Sequence, residues 1–80
     1  MISPAGAVIG RGRQSEVVLT DPNVSRQHAE IRPRGGSWVI TDLGSTNGSQ
    51  LNGRRIDGSE VLRPGDEIEL GASVMTFTLE

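Results

Sequence analysis

Three short blocks of the 80-residue chain hold the side chains best suited to chemistry: Gly10-Arg11, Ser25-Arg26-Gln27-His28 and Ser45-Thr46-Asn47-Gly48. A guanidinium is a planar fork of donors, Ser and Thr hydroxyls each donate one hydrogen bond, and glycine-rich turns expose amides. Together these types suit a small oxyanion. Catalytic readings fit less well. Gly10-Arg11-Gly12 lacks the third Gly of a dinucleotide loop, since position 15 is Ser, and a P-loop needs a Lys that the chain does not have. Ser25, His28 and Asp42 are the residue types of a hydrolase triad, but neither a nucleophile elbow nor an oxyanion loop accompanies them. No catalytic residue is assigned, and the chain is read as a non-enzyme. Asn23-Val24-Ser25 and Asn47-Gly48-Ser49 match the glycosylation sequon, a frequent accident without meaning unless the chain is secreted.

Composition narrows the classes further. Eighty residues make one domain, and 34% apolar residues with only Trp38 and Phe77 as aromatics imply a thin aliphatic core without a deep cofactor cavity. No cofactor is expected. With no Cys and His28 as the single His, disulfides, thiolate zinc sites, iron–sulfur clusters and multi-histidine metal sites are excluded. No apolar run reaches membrane-spanning length and Met1 to Gly12 is no signal peptide, so cytoplasm is the simplest compartment and no membrane insertion is expected. Charge is uneven: residues 1–34 carry +2, residues 35–56 carry +1 and residues 57–80 carry −5, for a net −2. A net-negative chain with a basic front argues against nucleic acid, yet leaves room for a local anion site. All eight cations are Arg, which suits bidentate oxyanion contacts, although codon bias in a GC-rich genome is the better explanation.

The elements that must position these blocks are short strands. Trp38 and Ile40 alternate with Val39 and Thr41, Ile68 and Leu70 with Glu67 and Glu69, and Met75, Phe77 and Leu79 with Val74, Thr76 and Thr78. Shorter candidates are Ala7 to Ile9, Val17 to Leu19, Ala29 to Arg32, Gln50 to Leu51, Arg54 to Ile56 and Glu60 to Leu62. Turn-forming residues separate them, and Asn52-Gly53 is the strongest two-residue hairpin signal. Val24 to Glu30 could alternatively form a short helix capped by Ser25, but Pro22 and Pro33 bracket it and Ala29 with Ile31 fits a strand. Many short strands with turns between them predict an all-β antiparallel sandwich or barrel whose loops at one end carry the function.

The three blocks, with Asn52-Gly53 and Gly65-Asp66-Glu67-Ile68 downstream, resemble the forkhead-associated (FHA) domain, a phosphothreonine-recognition module, most of all its bacterial members. The resemblance covers residues 7–79 of a single domain spanning 1–80. It implies an antiparallel β-sandwich of about eleven strands with the binding loops clustered at one end. It also implies a phosphopeptide-binding adaptor. The partner would be a phosphothreonine-containing Ser/Thr kinase or kinase substrate, in another protein or the same parent chain, and the isolated domain would be monomeric. A phosphate-independent scaffold of the same fold is the alternative.

Carried over by position, the resemblance implies that Arg11 clamps the phosphate, that Ser25 and Thr46 donate hydroxyls, and that Arg26 adds its amide with its side chain as a further donor. Asn47 would hydrogen-bond the peptide main chain. His28 would brace the loop holding Ser25, and Gly10 and Gly48 would allow close or unusual backbone geometry. A small apolar recess would favour phosphothreonine over phosphoserine. Asn23 is neutral, so no strong demand for an acid three residues beyond the phosphothreonine is expected. Two departures stand out. Only Met1 to Ser3 precede the Pro4-Ala5-Gly6 turn, so the family's first strand is expected to be short or truncated, and Ser49 stands where the family often has Thr.

Overall fold

In the computed structural model, which describes residues 6–78, every regular element is a strand. The nine are β1 Ala7–Gly10, β2 Val17–Val18, β3 Ala29–Arg34, β4 Ser37–Asp42, β5 Ser49–Leu51, β6 Arg54–Arg55, β7 Ser59–Leu62, β8 Glu67–Leu70 and β9 Ser73–Thr76. They coincide with the nine runs that alternation and turn residues pick out, with ends shifted by up to three residues. The eleven strands implied by the family resemblance are corrected to nine among the described residues. Expectations for Met1 to Ser3 and Leu79 lie outside those residues. Val24 to Glu30 is not a helix: residues 24–28 are loop and Ala29 opens β3.

Two sheets face each other, one ordered β2-β1-β3-β4-β7 and the other β6-β5-β8-β9. All pairs are antiparallel except β1 with β2, which run parallel with Ile9 beside Val17. A wholly antiparallel sandwich is therefore corrected at this edge. Turn residues mark where a strand ends but not the direction in which the next one runs, and residues 11–16 fold back far enough to start β2 level with Ile9. The Asn52-Gly53 hairpin forms as expected, with both residues at positive φ, 51° and 82°, and Leu51 paired with Arg54. This is the backbone of a primed turn, whose twist matches the flanking strands.

The core lies between the sheets. Ile9, Ile31, Ile40 and Leu62 of the first sheet meet Leu51, Ile68 and Leu70 of the second, with Val24, Ile56 and Phe77 contributed from loops. Each such side chain contributes about 1.5–3 kcal/mol when fully buried. Outward neighbours such as Arg32 and Val61 are exposed, as a period of two requires. Trp38 meets Phe77 edge to face, with ring centroids 6.3 Å apart.

Strand direction decides where the three sequence blocks go. β1 and β4 end, and β3, β5 and β7 begin, at the same end of the sandwich, because β3 runs against β1 and β4, β7 runs against β4, and Ser49 at the start of β5 bonds Asp42 at the end of β4. Residues 11–14, 20–28 and 43–48 are gathered there.

Candidate functional site

The first loop is fastened to the second by main chain. Arg11 N–H donates to the Ser25 carbonyl at 2.9 Å, and Gly12 N–H to the Arg26 carbonyl at 3.1 Å. Ser15, buried at 7% exposure, adds a hydroxyl bond to the same Arg26 carbonyl at 3.1 Å. This approach requires glycine at position 10, where a Cβ would stand 2.1 Å from the Arg26 carbonyl oxygen. Arg11 Nε donates to the Val24 carbonyl at 3.0 Å, which aims the guanidinium and leaves its two terminal nitrogens on an exposed side chain.

The second loop is held from three directions. Val24 is 1% exposed and anchors it in the core. Asp21 accepts from the amides of Asn23 at 2.9 Å and Ala72 at 2.8 Å and from the Ser73 hydroxyl at 3.1 Å, which ties the loop to the β8–β9 turn. The Asn23 amide foremost, with Ala72 and Ser73 and against the effect of burial, holds the Asp21 carboxyl below the usual range. His28, fully buried, is the third support. Its Nδ1 accepts from Ser25 N–H at 3.0 Å, so Nε2 carries the proton and donates to the Gly48 carbonyl at 2.7 Å. One imidazole thus links the second and third blocks. Its main chain adds two bonds, His28 N–H to the Ile9 carbonyl and Leu43 N–H to the His28 carbonyl, both 2.9 Å.

Asp42 organises the third loop. Its carboxylate accepts from the amides of Gly44 and Ser45, both at 3.1 Å, and from the hydroxyls of Ser45 and Ser49, both at 2.6 Å. Burial acts to raise this carboxyl, but the bonds from Ser45, Ser49 and Gly44 together hold it below the usual range. The loop then leans on its neighbour. Thr46 N–H donates to Ser25 Oγ at 3.1 Å, which leaves the Ser25 O–H free to donate outward, and Asn47 Nδ2 donates to the Asn23 carbonyl at 2.7 Å. Gly48 sits at φ +79°, where a Cβ would meet the Arg55 guanidinium at 3.1 Å.

The structure therefore brings Arg11, Ser25, Arg26, Thr46 and Asn47 together on one rim, with Gly10, His28 and Gly48 beneath them. Ser25, His28 and Asp42 do not line up as a triad. The His28 ring is committed to the Ser25 amide and the Gly48 carbonyl, and Asp42 to Ser45, Ser49 and Gly44. Asp21 and Ser15 escape a reading of short motifs because they bond to residues distant in sequence, Ala72 and Ser73 for Asp21 and Arg26 for Ser15, and the bracing role of Asp42 escapes it because a single Asp close to Ser45 and Ser49 is ordinary loop composition. Arg13 and Arg55 also escaped it, as isolated arginines carry no signal of their own. Arg11, Arg13, Arg26 and Arg55 all lie at this end, and among the described residues the only ion pair is Arg32 with Glu30, on β3. Also among the described residues, no group of three His, Asp or Glu side chains could hold a metal, and no helix is long and apolar enough to cross a membrane.

Comparison with known proteins agrees with this geometry. The FHA domain family model matches residues 7–71. The oxoglutarate dehydrogenase inhibitor of Corynebacterium diphtheriae is 44% identical over 68 residues, 85% of this chain and 47% of that protein. The chain thus spans about half the length of the curated relatives it matches. Among solved structures, one determined for structural and functional analysis of phosphothreonine-dependent FHA domain interactions superposes with a TM-score of 0.92 at 35% identity, covering 99% of this chain and 81% of that one. Mycobacterium tuberculosis EmbR, in complex with a low-affinity phosphopeptide, gives 0.88 at 39% identity, covering 92% of this chain and 20% of that one.

Proposed function

The chain belongs to the FHA domain family, and from that premise we propose that it is a phosphothreonine-binding adaptor whose site is the rim formed by Arg11, Ser25, Arg26, Thr46 and Asn47. The observation that carries the reading is the convergence of a guanidinium, two hydroxyls and loop amides on loops already cross-linked before any ligand arrives. A phosphate monoester brings about −1.5 to −2 charges and three acceptor oxygens. Arg11 Nη1 and Nη2 supply a fork, Ser25 and Thr46 supply hydroxyl donors, and Arg26 supplies its amide and a second cation. Asn47, whose Nδ2 is fixed on the Asn23 carbonyl, presents Oδ1 to accept a peptide N–H and so sets register. Pre-ordered loops reduce the entropy lost on binding.

The work done at this rim is recognition rather than catalysis, because no side chain there is placed to activate a nucleophile. The partner is a protein carrying phosphothreonine made by a Ser/Thr kinase, either another molecule or a further segment of the parent chain. The compartment is the cytoplasm, where such kinases and their substrates meet. The test is a fluorescence-anisotropy titration with three peptides identical except for a central phosphothreonine, phosphoserine or threonine. Binding is expected for phosphothreonine, weaker by about 10-fold or more for phosphoserine, which lacks one methyl, and absent for threonine. Equal binding of the threonine peptide would overturn the reading in favour of a phosphate-independent scaffold.

A further inference from the structure

Beside the phosphate-coordinating rim runs a groove of about 670 Å3 lined by Arg11, Gly12, Arg13, Gln14, Ser15, Arg26 and Gln27. Seven lining residues include three guanidiniums and no carboxylate. The groove extends past Gly12, Arg13 and Gln14, none of which belongs to the phosphate-coordinating rim, so a phosphate held by Arg11, Ser25, Arg26 and Thr46 leaves that part of it open. Charge leads to the same surplus. A phosphate dianion is matched by Arg11 and Arg26, and Arg13 is then a third cation facing the same space.

The main chain at Arg13 is also held in place. It sits inside a turn closed by Ser15 N–H donating to the Gly12 carbonyl at 3.0 Å, and both ends of that turn are bonded to the Arg26 carbonyl. The side chain itself is exposed and has no hydrogen bond or ion pair among the described residues. The neighbouring acid Glu16 turns the other way, its carboxylate accepting from Val8 N–H at 2.6 Å.

Resting on the phosphothreonine reading above, we propose that this groove takes a second anionic side chain of the same peptide, through Arg13. Its chemistry is a carboxylate or a second phosphate within a few residues of the phosphothreonine. Asn23, the neutral residue of the second loop, lies outside the groove, so its neutrality places no constraint on this position. The guanidinium of Arg13 would meet the anion with a charge-assisted bidentate contact, and Gln14 and Gln27 add neutral donors alongside it.

The test uses the 80-residue chain and an Arg13→Gln variant. Both are titrated with a phosphothreonine peptide of neutral flanks, with a scan moving one Glu through the flanking positions, and with a second phosphothreonine at the position the scan favours. At one position Glu should tighten wild-type binding by about two- to fivefold, as for a solvent-exposed ion pair, and a second phosphate by about tenfold or more. Both gains should vanish in Arg13→Gln and be retained in part in Arg13→Lys, while the neutral-flank peptide binds all three proteins alike. A gain that survives in Arg13→Gln, or the lack of a favoured position while the neutral-flank peptide binds normally, would overturn the inference and leave the phosphothreonine site standing. Failure of every phosphopeptide would overturn both.

Discussion

At the scale of single residues, the site depends on a few atoms held by main chain. Arg11 has its Nε on the Val24 carbonyl and its amide on the Ser25 carbonyl, so its fork is aimed before any ligand binds. Arg11→Ala should weaken phosphopeptide binding by about 2–5 kcal/mol, as when one partner of a desolvated charged pair is removed. Calorimetry should show this with little change in Tm. Unchanged affinity would remove Arg11 from the site. Gly10 is the structural counterpart. Its Cβ would collide with the Arg26 carbonyl, and Gly10→Ala should cost about 1–3 kcal/mol of stability through overpacking, visible in urea denaturation. An unaltered midpoint would show that the first two loops need not approach so closely. That Arg11, Ser25, Arg26, Thr46 and Asn47 stand in turn-rich blocks was legible in the sequence, whereas the roles proposed for them come from the family resemblance. Which atoms already bond one another was not legible, since Ser25 with Thr46 and Asn23 with Asn47 are separated by more than twenty positions.

At the scale of elements, the strands were legible and their assembly only partly so. Alternation with a period of two locates Trp38 to Thr41 and Glu67 to Leu70 without reference to neighbours, and Asn52-Gly53 specifies its hairpin through φ alone. Sheet membership is different. β7 follows β6 in sequence but pairs with β4 in the other sheet, and β2 runs parallel to β1, because those choices are set by which apolar faces meet in the core. Asp42 shows a different, local limit. A lone Asp after a strand looks ordinary, yet it carries four hydrogen bonds that shape the loop bearing Thr46 and Asn47. Since folding lowers the affinity of its carboxylate for protons, the stabilisation is present above the ordinary carboxylate range and is lost as pH falls through the folded value. Asp21 and Asp66 shift in the same direction. The part of the stability that these three carboxylates contribute should thus decline below about pH 4. Asp42→Asn should lose about 1–2 kcal/mol at neutral pH and show a shallower acid decline than wild type. An acid limb identical in the two proteins would mean that the Asp42 bonds contribute nothing net.

At the scale of the whole molecule, one thin core serves both sheets and the functional end alike. Val24, 1% exposed, belongs to the core cluster and also anchors the loop that carries Ser25. The radius of gyration, 11.3 Å, is close to the roughly 11–12 Å of a compact chain of this length. We expect the chain to fold as one cooperative unit and to run as a monomer in size-exclusion chromatography with light scattering. The exposed Val18, Val61 and Val74 lie on β2, β7 and β9 and Leu43 in a loop, and single exposed apolar residues are ordinary on a monomer surface. A concentration-dependent dimer would contradict this and favour assembly through a sheet face. Net charge also acts at this scale. Four arginines gathered at the binding end, none of them ion-paired among the described residues, draw an anionic peptide there despite the overall −2. The fold class was legible from composition and turn spacing, whereas this polarity emerges only once strand direction sends residues 11–14, 20–28 and 43–48 to the same end.

The central claim is that phosphothreonine is read by these three loops and nowhere else on the sandwich. The most direct measurement is an amide chemical-shift map, recorded by two-dimensional 1H–15N NMR, during titration with a phosphothreonine peptide and with its unphosphorylated twin. Large, saturable shifts are expected at Arg11, Ser25, Arg26, Thr46 and Asn47 with the phosphorylated peptide alone, and small ones at Val39 and Val61. Shifts centred on β4 and β7, or the same map from both peptides, would contradict that claim.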